Sequence, residues 1–165
     1  MQGLSKYVDM ALKLGAVEAV LAPVEKLVID YRFYLKCRFG CPNWNKYWTC
    51  PSAPGFPAPW EFENIIRSYS IFLAIHTLCE EDNQKISFEI EESAFKDGFL
   101  LAFSISGCSI LCNRDCTYPD SPCRYPQRAR PTPSAVCIDV YKTAKSLSMN
   151  FEFGKPDWYS YVLLL

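Results

Sequence analysis

The chain has 165 residues, is half hydrophobic, and carries 17 Lys and Arg against 18 Asp and Glu. A net charge of -1 implies no polybasic surface, so nucleic acid is not a favoured partner. The length suits one cysteine-rich domain, residues 1–165, whose core can hold without disulfides, and no segment approaches the ~20 apolar residues of a membrane span.

Leu4, Tyr7, Val8, Ala11 and Leu12 recur at helical spacing, and Gly15 is a natural stop. Residues 16–21 predict a short strand, and 27–35 a second one running straight into Cys37. Residues 37–59 hold five prolines and two glycines, so a loop is expected there. Pro59 suits the first turn of a helix with Phe62, Ile65, Ile66 and Tyr69 on its buried face. Residues 71–78 predict a buried strand. Residues 83–97 fit strand alternation or helical steps, and their Glu and Lys content with Gly98 behind them favours the helix. Residues 99–105 predict another buried strand, ending at Gly107. Thr132 and Pro133 can open a helix carrying Cys137, Val140, Tyr141 and Ala144. Strands at 151–153 and 158–164 close the chain. The expected class is α+β, or α/β, with one mixed sheet, helices packed on it and two cysteine-rich metal-binding loops.

Those loops carry the chemistry. Cys108, Cys112, Cys116 and Cys123 put four thiols into sixteen residues. Cys37, Cys41 and Cys50 form a second group with three. The N-terminal residues 1–10 lack a signal-peptide core, so a cytoplasmic protein is expected. A reducing cytoplasm and an odd count of nine cysteines argue against a disulfide framework. Clustered thiolates are soft ligands that select zinc or iron–sulfur clusters. Neither loop has the Cys-x2-Cys knuckle common in structural zinc sites, so iron–sulfur is favoured, as one or two 4Fe-4S clusters, with zinc as the alternative. The second loop has enough ligands to close a site. The first lacks a fourth, which Cys79, Cys137, solvent or a partner could supply, although Cys79 and Cys137 each read more simply as core residues. One centre shared by both loops is the other option.

Arg32, Lys36, Arg38 and Lys46 surround the first loop, and Arg114, Arg124, Arg128 and Arg130 the second. They would offset an anionic cluster, with Asp30, Asp115 and Asp120 partly opposing them. Phe39, Trp44, Tyr47, Trp48, Tyr118 and Tyr125 could shield it from water. The only histidine, His76, reads as a core residue. No catalytic constellation and no phosphate loop stands out, and the Glu80–Asp82 and Glu89–Glu92 groups read as an acidic solvated face.

Cys37-Arg-Phe-Gly-Cys41-Pro-Asn-Trp-Asn-Lys-Tyr-Trp-Thr-Cys50-Pro51 resembles a motif of the domain-of-unknown-function 2284 family. So do Gly107-Cys108 with Cys112 and Cys116, Pro122-Cys123-Arg124-Tyr125-Pro126, Arg130-Pro131 and Ile138-Asp139-Val140. That family comprises predicted metal-binding proteins of prokaryotes, many of them anaerobes and archaea. The resemblance implies metal held by Cys37, Cys41, Cys50, Cys108, Cys112, Cys116 and Cys123. The chain departs from the family pattern at Ser52, where proline is common, and in the wider spacing of the second motif. It also departs at Cys137, where glycine is common, which makes Cys137 a candidate added ligand. The expected function is electron transfer, or a subunit of a redox complex, with a redox protein as partner. Alternatives are a zinc-stapled interaction module and a small metalloenzyme with its open site at the three-cysteine loop.

Overall fold

The structure is a computed structural model that describes residues 3–165. Met1 and Gln2, part of the N-terminal stretch just discussed, lie outside the described residues. Five α-helices accompany one sheet: α1 (Ser5–Lys13), α2 (Arg32–Gly40), α3 (Pro59–Arg67), α4 (Glu80–Lys96) and α5 (Val140–Ser146). The strands are β1 (Glu18–Pro23), β2 (Ile71–Thr77), β3 (Phe103–Ile105) and β4 (Trp158–Leu163), in the order β1-β2-β4-β3. Every pairing is antiparallel, so the class is α+β and the sheet is not mixed.

The period-two geometry of β2 splits the core into two. Phe72 and Ala74 face α3 and α5, packing with Phe62, Ile66, Ala144 and Tyr161. Leu73 and Ile75 face α1 and α4, packing with Tyr7, Ala11, Ile86 and Ile90. Covered on both faces, β2 reads as an unbroken apolar run rather than an alternating one. His76 is in the core as expected, its Nδ1 2.9 Å from a Glu18 carboxylate oxygen and its ring stacked on Tyr159.

Local polar groups redirect several segments. The Asp30 carboxylate accepts the Arg32 backbone N–H at 3.1 Å, turning the chain into α2 where alternation predicts a strand. Only an isolated bridge between Ile29 and Ile138 remains of that strand. The predicted strand at 99–105 is reduced to β3, because the chain leaving α4 turns first, with Ala102 N–H donating to the Phe99 carbonyl. Leu100 and Leu101 are left exposed. Ile65, assigned to the buried face of α3, is also exposed. Residues 134–136 make only a short 3-10 turn. The helix begins later, at α5, where Asp139 accepts the Lys142 N–H at 2.9 Å. Cys137 sits between them at φ 62, a left-handed conformation that glycine adopts without cost. No strand forms at 151–153, where Phe151 instead stacks on Tyr159.

Candidate metal centre

The first cysteine loop starts on a helix. Cys37 lies in the last full turn of α2, buried, with its Sγ 3.6 Å from the Ser134 carbonyl. Cys41 ends that helix. From there a run of tight turns uses the backbone amides itself: Trp44 N–H donates to Cys41 O, Cys50 N–H to Tyr47 O, and Ala53 N–H to Cys50 O. The proline-rich sequence has few amides to spare, and these turns occupy them. The Cys50 sulfur accepts a bond from the Ser52 hydroxyl at 3.0 Å.

The second loop starts from β3. Gly107 has φ 92 and donates its N–H to Pro131 O at 2.9 Å. A Cβ there would meet Gln84 Nε2 and Thr132 Cγ2, each at 3.1 Å, so the strand exit admits only glycine without strain. Cys108 follows, and residues 109–112 form a 3-10 turn. Asn113 and Arg114, both at positive φ, reverse the chain. Gln84 on α4 holds the turn, its Oε1 accepting the Ile110 N–H at 3.2 Å and its Nε2 donating to Ser109 Oγ at 3.1 Å.

Tertiary structure brings the two loops together. Thr49 Oγ1 and Cys108 Sγ are 3.3 Å apart. Trp48 Nε1 donates to Ser121 O at 3.0 Å, Tyr118 OH to Asn45 Oδ1 at 3.0 Å, and Tyr47 OH to Arg114 O at 3.4 Å. The Trp48 and Tyr118 rings meet edge to face. A cavity of about 220 Å³ opens at this junction, with Cys37, Cys41, Cys50 and Cys108 in its wall. Beside it a polar cavity of about 480 Å³ has Cys116, Lys46, Arg114 and Tyr118 in its wall. Among the described residues, no three His, Cys, Asp or Glu side chains converge as ligands of a single ion.

Burial dominates the electrostatics. It pushes the Cys37 thiol up to about 11, and the neighbouring Cys41, Cys137 and Cys50 sulfurs add to the shift. It also raises Cys108, against the Thr49 hydroxyl and the Arg130 backbone N–H, which favour the thiolate. Tyr47 is raised by burial first, then by Cys116 and Cys108. Removing a charged thiolate from water costs free energy, so the metal-free Cys37 and Cys108 thiols are held neutral and a bound cation would release their protons.

Cys79 is exposed, not core; its sulfur caps α4 by accepting the Asp82 N–H at 3.5 Å. Cys137 is buried and lies outside the wall of the 220 Å³ cavity, near enough to Cys37 to raise its pKa. Four of the eight cations are already matched: Arg32 to Asp30, Arg114 to Glu80, Arg124 to Asp115 and Arg130 to Glu91. Lys36, Arg38, Lys46 and Arg128 make no ion pair among the described residues. Trp44 and Tyr47 do line the cavity, while Phe39 and Tyr125 are exposed and shield nothing. Sequence reasoning missed Trp158 and Glu80 in the cavity wall. Both stand at sheet or helix ends remote in sequence from either loop, and no local signal marks them.

The sequence pattern of one family, described as Predicted metal-binding protein (DUF2284), matches residues 21–165. The chain belongs to that family. The matched stretch takes in both cysteine loops and every helix except α1. No curated protein and no solved structure matches the chain. Among the described residues, no helix is long and apolar enough to cross a membrane.

Proposed function

We propose that this member of the DUF2284 family is an iron–sulfur protein that transfers electrons, or serves as a subunit of a redox complex, in a prokaryotic cytoplasm. One observation carries the reading: two thiol-rich loops interlock around a common junction whose cavity has four cysteines in its wall. Thiolate donors at the junction suit iron–sulfur chemistry, for which cysteine is the usual ligand. Glu80 is a weak competitor as a ligand, since Arg114 and Ser109 already engage its carboxylate.

A redox partner would meet the molecule beside this junction. Phe39, 80% exposed, follows directly on Arg38 and precedes Cys41 by two residues. With the unpaired cations Lys36, Arg38 and Lys46 it suits a partner with an acidic face.

The test is iron and acid-labile sulfide content of anaerobically purified protein, with electron paramagnetic resonance before and after reduction. The reading expects brown protein with iron and sulfide in equal amounts and a signal that follows reduction. Colourless protein with stoichiometric zinc would overturn it in favour of a zinc-stapled module.

A further inference from the structure

We infer that the turn at residues 49–52 sets the redox potential of the metal centre it abuts. The Thr49 and Ser52 hydroxyls each donate a hydrogen bond to a ligand sulfur, Thr49 to Cys108 and Ser52 to Cys50, and so favour the reduced state. This rests on the iron–sulfur reading above, and it holds whether the two loops carry one centre or two. Both are positioning residues that act through a sulfur, not ligands.

Geometry fixes which atom donates. Ser52 Oγ lies 3.0 Å from Cys50 Sγ and accepts the Asn45 backbone N–H, also at 3.0 Å. With a donor already aimed at its oxygen, the hydroxyl proton is free to point at the sulfur, and bonds in such a chain strengthen one another. Thr49 Oγ1 lies 3.3 Å from Cys108 Sγ. A metal-bound sulfur is a thiolate without a proton, so in the loaded protein the hydroxyl must be the donor. Among the described residues, these are the two hydroxyls bonded to a cysteine sulfur. The local sequence explains why side chains take this part. Pro51 has no N–H, and the Cys50 and Ala53 amides already donate to the Tyr47 and Cys50 carbonyls. Thr49, Cys50 and Ser52 are each half-buried, which limits the water that could replace these bonds. Thr49, Cys50 and Cys108 share the wall of the 220 Å³ cavity.

The consequence is electrostatic. One-electron reduction adds one negative charge to an iron–sulfur centre and its sulfurs, and hydrogen bonds to those sulfurs are among the determinants of its potential. The positive end of each hydroxyl dipole stabilises the added charge, so each bond raises the potential. Thr49 also crosses between the loops. It precedes Cys50 yet bonds Cys108, so a substitution in the first loop acts on a sulfur of the second.

The experiment uses the full chain, purified anaerobically, as wild type, Thr49→Val and Ser52→Ala, with Thr49→Ser and Ser52→Thr as controls that keep the hydroxyl. Metal per chain and the midpoint potential, from a dithionite titration followed by electron paramagnetic resonance, are read for each. At a fixed poise the reduced-to-oxidised ratio should fall roughly tenfold in Thr49→Val and in Ser52→Ala, about 59 mV toward negative potential for one electron. Metal content should not change, and the controls should stay near wild type. A ratio within about threefold of wild type overturns the inference for that residue. Loss of metal in place of a shift also overturns it, in favour of a hydroxyl that only holds the loop. Should Thr49→Val or Ser52→Ala fail to fold, Thr49→Ala or Ser52→Gly takes its place. Zinc in place of iron would defeat the iron–sulfur reading alone, and the cobalt-substituted chain then decides. Without the hydroxyl the sulfur is the better electron donor, so its charge-transfer band to cobalt should move to longer wavelength in both variants. Unmoved bands overturn the inference.

Discussion

Glu91→Ala tests how the core holds the second loop in place. Glu91 on α4 and Arg130, which follows the loop, form an ion pair with side chains only 10% and 11% exposed. Arg130 Nε donates to Glu91 Oε2 at 2.9 Å, and the buried Ser104 backbone N–H donates to the same oxygen at 2.7 Å. The guanidinium also lies over the Phe103 ring, 4.9 Å from its centroid. Removing the carboxylate strands a buried cation, at a cost of about 3–5 kcal/mol. It also orphans the Ser104 amide, which alone costs about 1–3 kcal/mol and pushes the total to the upper end of that range. For 165 residues the unfolding entropy is roughly 0.35 kcal/mol/K, so the melting temperature should fall by about 11–14 °C. Thermal unfolding of metal-free protein, followed by far-ultraviolet circular dichroism under anaerobic conditions, measures this. The double variant Glu91→Leu/Arg130→Met should recover only the part of the loss due to the stranded cation, because breaking a buried pair costs more than replacing it with apolar groups, while the Ser104 amide still lacks its acceptor. A Glu91→Ala melting temperature within about 3 °C of the parent would refute the reasoning.

Gly107→Ala should cost about 1–3 kcal/mol, because φ is 92 and the new Cβ would press on Gln84 and Thr132 at 3.1 Å. Metal content should fall with it, since Gln84 holds the turn after Cys108; unchanged melting and metal content would contradict this. In metal-free protein at pH 8, alkylation read by peptide mass mapping should mark exposed Cys79 first. Cys37, with its pKa raised to about 11 by burial, should react slowly and gain about tenfold per pH unit until that pKa is passed. Equal rates at Cys37 and Cys79 at pH 8 would sink the assignment. The sign for stability follows from the same shift: burial favours the neutral thiol, so its contribution is present below about pH 9 and lost as pH rises through about 11.

Much of the scaffold is legible from local pattern. The helical spacing of Leu4, Tyr7 and Ala11 before Gly15, Pro59 opening α3, and the apolar run of β2 each depend on neighbours within a few residues, and each forms as expected. Three of the failures share one cause. At Asp30, at Asp139 and at the turn after Gly98, a side chain or backbone bond offers the chain an alternative that hydrophobic periodicity does not record. Cys137 adds a backbone constraint, a φ of 62, that no spacing rule would find.

Taken alone, the sequence determines a thiol-rich chain of α+β or α/β class with seven of its nine cysteines in two stretches, because cysteine count, proline density and apolar periodicity are local properties. Only the tertiary structure decides that the loops meet, that Thr49 contacts Cys108, and that Trp158 and Glu80 stand at the junction. The physical reason is that ligand sets are defined by distance in space. Residues 59 positions apart, Thr49 and Cys108, become neighbours only once the antiparallel sheet and the Glu91–Arg130 pair have set where each loop leaves the core.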